Sequence, residues 1–276
     1  MAVTNVKTIT GLRTDSCYTT LADTIKGLSD GRRIVFSPAR GNWGDGLINY
    51  GTRQFLADHD LEVEECHKRD TLTALKSGAL TGSVVLVGGS GAWSRNFQLS
   101  RDTAQNVAEQ ADHVIVLPTS YELSSLGDHY GNVTYFARDN VSSMSNVPQA
   151  QFCHDMAFYT ELQVPDLPNK LWRIFAMRND REGHDYGKYF PLNIDLSHLG
   201  DADYTFVSPL FNIVNNFDVI STDRMHLAIV GAMLGLKVNL VPGNYFKSTD
   251  VYRSSLSTNY PKVKLKSIEE IIQWSS

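Results

Sequence analysis

Ile220–Val241 reads ISTDRMHLAIVGAMLGLKVNLV. A short β-like run, Asp218–Thr222, stops at Asp223-Arg224-Met225-His226. A compact apolar helix pattern follows through Leu227, Ile229, Val230, Met233 and Leu234, and a second strand pattern covers Lys237–Val241. A guanidinium and an imidazole therefore stand where a strand ends and a helix begins. In open α/β folds ligands bind at the carboxyl ends of strands, beside helix N-termini whose free N–H groups attract anions. Arg224 and His226, two residues apart at such a turn, suit the holding of a small anion and the movement of a proton.

The flanking chain repeats this alternation. Arg33–Ala39 is a continuous apolar run ending in Ser-Pro, as expected of a buried parallel strand, and it delivers GNWGDG (Gly41–Gly46) at the head of a helix carrying Leu47, Ile48, Phe55 and Leu56. Glycines at that turn allow close backbone approach, while Asn42 and Asp45 either cap the helix or face a cleft. The spacing is GxxGxG and not GxGxxG, so no dinucleotide is expected. Leu61–Val63 begins a second strand. Asp58, His59, Asp60, Cys66 and His67 lie around it, but no pair has a metal-ligand spacing, and neither a metal nor a cofactor is expected. Ser83–Val87 is a third strand closed by Gly88-Gly89-Ser90-Gly91, Arg95–Gln110 a helix, Val114–Leu117 a fourth strand and Val133–Ala137 a fifth. This alternation predicts a doubly wound parallel sheet.

Gln151–Lys170 holds Pro165 and Pro168 and no sustained period, which marks a boundary between residues 1–160 and 161–276. Beyond it Leu171–Met177 and Leu192–Leu196 read as strands, and Pro209–Asn216, Thr249–Ser257 and Ser267–Trp274 as helices. The expected fold is α/β: two Rossmann-like lobes with parallel sheets facing a cleft, the arrangement called GT-B.

Composition narrows the partners. The 276 residues are 42% hydrophobic and 20% charged with a formal net charge of −5, a globular balance that argues against nucleic acid. Cys17, Cys66 and Cys153 are few and scattered, as in a reducing compartment. The start, MAVTNVKTIT, has no apolar signal core, and the longest apolar run, Leu227–Leu236, is about half the roughly 20 residues that span a bilayer. A cytoplasmic protein without a transmembrane segment is expected.

Several segments carry a resemblance to one family. GNWGDG resembles the GNxGDE signature of the polysaccharide pyruvyl transferases, and STDRMHLAIVGAMLG (Ser221–Gly235) their S-x-R-L-H-x-x-I-x-A-x-x-x-G block. VLVGGSGAW (Val85–Trp93) is similar to their glycine-rich strand end, Phe152–Phe158 with Asp155 to their DpAf segment, Phe175–Glu182 to a strand ending in R-x-D-x-E, and Tyr245-Phe246-Lys247 to a late Y-x-K element. The matches run in order over nearly the whole chain.

The resemblance implies transfer of a pyruvyl group from phosphoenolpyruvate, a co-substrate, to two hydroxyls of one sugar in a glycan or lipid-linked acceptor, forming a cyclic ketal. It further implies that the C-terminal lobe holds the donor. Arg224 and Arg178 would bind its carboxylate and phosphate as charge-assisted forks, with Met225 and Lys247 beside them. A protonated His226 would be the acid that delivers a proton to the enol carbon. Asp45 would accept the hydroxyl proton or orient the acceptor, near Asn42, Trp43, Gly44 and Ser90. Gly46 replaces the signature's Glu, which removes one carboxylate from the acceptor side, and Met225 replaces Leu, a volume-conserving exchange.

Structural readings stand beside these. Arg224 pairs equally well with Asp223 or Asp218, and His226 suits a satisfied core position. Arg173 and Arg181 compete with Arg178, which Asp180 or Glu182 would pair, and Lys247 suits a solvated surface. Trp43 and Trp93 follow glycine turns and are the better sugar-stacking candidates, although most aromatics are core. A GT-B glycosyltransferase using a nucleotide sugar and a non-catalytic sugar- or anion-binding protein are the other function classes. Homo-oligomerisation stays open.

Overall fold

The structure, a computed structural model, describes residues 5–67, 73–74, 76–180, 182–201 and 206–274. They form a mixed α/β protein with mostly parallel sheets in a Rossmann-like pattern. The chain divides into two compact units that exchange segments. One comprises Leu12–Ala39 with Gly51–Tyr159, the other Met1–Gly11, Arg40–Tyr50 and Thr160–Ser276. Where the sequence suggests one cut near residue 160, the GNWGDG turn thus belongs with the C-terminal residues.

In the N-terminal unit, helix α1 (Ser16–Ser29) starts at Asp15, whose Oδ1 accepts the Cys17 N–H at 2.9 Å. Strands β2 (Arg33–Ser37), β3 (Val63–Glu65), β4 (Ser83–Val87), β5 (His113–Thr119), β6 (Val133–Ala137) and β7 (Gln151–Phe152) form a parallel sheet in the order β3-β2-β4-β5-β6-β7. All of β4 is buried, so its run SVVLV is apolar on both faces, as a sheet covered twice requires. The expected helix after it, α3, is shorter, Leu99–Ala108. The glycines beyond β4 serve the backbone: a Cβ on Gly88 would stand 2.4 Å from the Ala39 nitrogen, and one on Gly89 2.4 Å from the Pro118 oxygen.

In the C-terminal unit, β9 (Leu171–Phe175), β10 (Phe217–Thr222), β11 (Lys237–Leu240) and β12 (Val263–Leu265) are parallel in the order β12-β11-β10-β9. Helix α4 (Ser208–Asn215) leads into β10, and α5 (Met225–Met233) joins β10 to β11. A Schellman ending closes α5: Gly235 at φ +73° donates to Ala232 O and Leu236 to Gly231 O, each at 2.9 Å. A separate antiparallel pair, β1 (Val6–Thr10) with β8 (Glu161–Pro165), lies in this unit.

Several sequence expectations change. Gln151–Lys170, read as aperiodic, contains β7, a 3₁₀ turn at Met156–Tyr159 and β8, in which Leu162 and Val164 are buried and Gln163 is exposed. Leu192–Leu196 is not a strand. Leu192 is 84% exposed, and the segment runs into a 3₁₀ turn, Leu196–Leu199. Thr249–Ser257 is broken by a π-helical turn at Tyr252–Leu256 after a short helix, Lys247–Val251. No helix among the described residues is long and apolar enough to cross a membrane.

Candidate active site

Thr222, the last residue of β10, organises the turn. Its hydroxyl donates to the Ala176 carbonyl at 2.6 Å and accepts the Arg224 N–H at 2.9 Å, which joins the tips of β9 and β10. Asp223 then accepts the Arg178 backbone N–H through Oδ1 at 2.8 Å. Arg224 caps α5 with extended backbone, so the free N–H groups of the first helical turn begin beside its side chain.

The two guanidinium groups meet on one carboxylate. Asp180 Oδ2 lies 3.0 Å from Arg178 Nη2 and 2.9 Å from Arg224 Nη2. Arg224 also grips Asp195 with Nε, at 2.9 Å, and with Nη2, a bidentate fork. Asp195 Oδ2 accepts the Asn179 N–H at 2.8 Å as well. Arg178 Nη2 stands 2.6 Å from Glu182 Oε2, and Glu182 accepts from Lys247 Nζ at 2.7 Å and from the Tyr245 hydroxyl at 3.3 Å. Neither Nη1 atom, of Arg178 or of Arg224, has a protein hydrogen-bond partner among the described residues. Each arginine is thus immobilised along one edge and keeps a donor nitrogen on the other, an arrangement that can receive an anion without reordering the side chains.

Charge and burial set the protonation. Burial alone would raise the Asp180 carboxyl, but the Arg178 hydrogen bond and the charges of Arg178 and Arg224 outweigh it and hold the group down at about 2. Burial also opposes the Glu182 charge, and Lys247 and Arg178 overcome it, so this carboxyl titrates below its usual range. Asp223 goes the other way: burial pushes it up to about 6 against the Arg178 N–H and both arginine charges.

His226 and the GNWGDG turn are neighbours within the same unit. A Cβ on Gly44 would stand 2.3 Å from His226 Nδ1 and 3.0 Å from Asn42 Oδ1, so only glycine lets the imidazole approach the head of α2 (Trp43–Asp58). Asn42 Oδ1 accepts the Gly44 N–H at 2.8 Å, and Asp45 Oδ2 accepts the Asn42 N–H at 3.1 Å. This reciprocal pair is the logic of a capping box, so both side chains serve the helix start that the sequence allowed for.

Other expected residues lie elsewhere. Trp43 is 5% exposed, its Nε1 donates to Phe206 O at 3.4 Å, and a Cβ on Gly200 would stand 2.6 Å from its ring; its indole is packed in place of facing a sugar. Trp93 is wholly buried, edge-on to Tyr121 and Tyr135 in the N-terminal core. Ser90, in that same unit, is buried with its hydroxyl 2.6 Å from Ser100 Oγ and accepting the Ala92 N–H. Met225 is buried. Lys247 is held by buried Glu182 and not by solvent, and the expected partners of Arg224, Asp223 and Asp218, give way to Asp195 and Asp180. Arg173 is engaged elsewhere, over the Trp172 and Trp274 rings, and Arg181 lies outside the described residues. Asp195 escaped sequence reasoning because its surroundings, NIDLSHLG, imitate a strand.

The sequence model of the family described as polysaccharide pyruvyl transferase matches residues 42–240, from the GNWGDG turn to the end of β11. No curated protein matches the chain. A solved structure of a functionally uncharacterised protein from Klebsiella pneumoniae subsp. pneumoniae NTUH-K2044 is similar at a TM-score of 0.73 with 22% identity, over 91% of this chain and 99% of that one. That likeness concerns the fold, whereas the family match spans most of the sequence and both ends of the site. The chain belongs to the polysaccharide pyruvyl transferase family.

Proposed function

We propose that this protein transfers the pyruvyl group of phosphoenolpyruvate to two hydroxyls of a single sugar in a glycan or lipid-linked acceptor, leaving a cyclic ketal and inorganic phosphate. The observation that carries the reading is the pair of guanidinium groups bridged by Asp180 at the tips of β9 and β10, each with Nη1 unpartnered among the described residues, with Arg224 two residues before His226. Phosphoenolpyruvate is a small molecule with a carboxylate and a phosphate, and two fixed arginines with a helix N-terminus offer N–H donors to both groups.

His226 protonates the methylene carbon of the enol, and the carbon bearing phosphate becomes cation-like under the flanking arginines. The first sugar hydroxyl adds to that carbon and loses its proton. The second hydroxyl displaces phosphate and loses its own. In sum two hydroxyl protons leave the acceptor, one equivalent appears on the new methyl group, and one leaves with phosphate. Asp45, committed to the Asn42 N–H through Oδ2, orients the helix start beside the imidazole, and accepting a hydroxyl proton is a second task open to its carboxylate.

Incubation with phosphoenolpyruvate and a panel of β-galactosides and N-acetylmannosamine glycans tests the reading, following phosphate release against acid-labile pyruvyl ketal. One phosphate per ketal is expected. Turnover with a nucleotide sugar in place of phosphoenolpyruvate would sink the proposal. Arg224→Lys keeps the charge but not the fork on Asp195 and Asp180. We expect it to raise the KM for phosphoenolpyruvate by about tenfold or more with the fold retained. An unchanged KM would remove Arg224 from the donor site.

A further inference from the structure

We propose that the N-terminal unit binds one divalent cation of the zinc class through Asp15, Cys17 and His154, at the first turn of α1. One ligand atom from each residue, a carboxylate oxygen, the thiol sulfur and a ring nitrogen, lies within 4.8 Å of the others. Asp15 Oδ2 is already 3.4 Å from His154 Nε2. A tetrahedral ion bonded at about 2.0–2.3 Å sets neighbouring ligand atoms roughly 3.3–3.8 Å apart, so the remaining pairs need a closure of about 1 Å.

The three side chains are presented by structure and not by chance exposure. Asp15 spends Oδ1 on the Cys17 N–H, which turns Oδ2 toward the imidazole. Cys17 Sγ accepts the His154 backbone N–H at 3.4 Å, which holds the sulfur beside the ring. His154 is 4% exposed and its ring is set edge-on against Phe152 and Phe158, so its orientation is fixed. Burial lowers its proton affinity in spite of Asp15, which leaves the neutral, ligating imidazole at neutral pH. Burial would raise the Asp15 carboxyl, but hydrogen bonds from Cys17 and the charge of His154 pull it below its usual range, into the ligating carboxylate.

The chemistry of the set selects the ion. One sulfur, one nitrogen and one oxygen suit a borderline-soft divalent metal better than magnesium or calcium, which take oxygen. The Cys17 proton passes to solvent on binding, and the charges of thiolate and carboxylate then cancel the two of the ion, as a half-buried site requires. Cys17 and His154 are 137 residues apart in the chain, which is why no spacing announces the site.

The test is a titration of chelator-stripped full-length protein, kept reduced, with zinc against a chromogenic chelator, and in parallel with cobalt. One equivalent at a Kd of about 1 μM or tighter is expected, with a thiolate-to-cobalt band in the near ultraviolet. Cys17→Ser should abolish that band and weaken zinc by about tenfold or more. Asp15→Asn keeps the α1 cap and removes the charge, and is expected to weaken zinc similarly while leaving the far-ultraviolet circular dichroism unchanged. Less than one equivalent of zinc at tens of micromolar, or undiminished binding in folded Cys17→Ser and Asp15→Asn, would overturn the proposal.

Discussion

Asp180 carries more of the site than its single charge suggests, because one oxygen receives both guanidinium groups. Removing any one arginine therefore strands carboxylates: Asp195 is buried and Arg224 is its bidentate partner, so Arg224→Ala mixes a stability loss with a binding loss. Gly44 offers a cleaner probe of the imidazole. Its backbone is not in the left-handed region, so Gly44→Ala is tolerable in the main chain, but the new methyl group would stand 2.3 Å from His226 Nδ1. We expect kcat to fall by about 10² and stability by about 1–3 kcal/mol with the fold retained, read by initial rates and a melting curve. Retention of full kcat would show that His226 acts, if at all, from another position.

Asp223 yields a pH prediction. It is 1% exposed, and its Oδ2 has no hydrogen-bond partner among the described residues. With its carboxyl raised to about 6, the folded state keeps a proton that the unfolded chain releases near 3.8. Stability from this group is full below about 3.8, declines as pH rises to about 6, and stays level above it. The span corresponds to about 3 kcal/mol at 1.36 kcal/mol per unit. Asp180, held at about 2, contributes in the opposite sense, losing its stabilisation as pH falls from 3.8 towards 2. Asp223→Asn keeps the acceptor for the Arg178 N–H and removes the titration. Urea unfolding from pH 4 to pH 7 should show the decline in the natural protein and a flatter profile in the variant, which at pH 7 is no less stable. Parallel profiles would mean that Asp223 does not hold its proton in the folded state.

Helix α5 is set on its sheet by one missing side chain. A Cβ on Gly231 would stand 2.8 Å from Ile220 Cγ2 and 2.9 Å from Val238 Cγ2, so the helix sits on β10 and β11 at a distance only glycine permits. Alanine is the better helix former by up to about 1 kcal/mol, yet overpacking costs about 1–3 kcal/mol. Gly231→Ala should therefore lower the melting temperature by several degrees, and because Arg224 and His226 open this helix, weaken phosphoenolpyruvate binding as well. A raised melting temperature would place the packing argument in error. Elements of this kind were legible in the sequence: the apolar runs at Ile220, Val84 and Ile34 became strands because full burial needs no alternation. Pairs between distant short segments were not. The strand β1 shows one buried residue in five, and it pairs with β8 across some 150 residues. Leu192 and Ile194 misled because exposed aliphatic residues imitate a strand when nothing in the local pattern says which face is covered.

Across the chain, the local parts of the site were readable and the long-range parts were not. Arg224, Met225 and His226 follow from one strand–helix turn, and Arg178, Asp180 and Glu182 from the charged loop after another strand. Their convergence on shared carboxylates, and the arrival of Asp195 from a 3₁₀ turn between them, depend on tertiary packing that no spacing encodes. The GNWGDG turn likewise reads as part of the preceding sheet, yet Arg40–Tyr50 belongs to the unit that bears His226. That placement brings GNWGDG and the turn at Arg224–His226 together, the Gly44 position against the imidazole. The decisive measurement is a single-turnover comparison of the natural protein and His226→Asn with phosphoenolpyruvate and an accepted glycan. Ketal and phosphate should form together in the natural protein, while the variant binds phosphoenolpyruvate within about threefold and loses turnover by about 10³ or more. Turnover preserved in the variant, or no binding of phosphoenolpyruvate by either protein, would refute the assignment of this site.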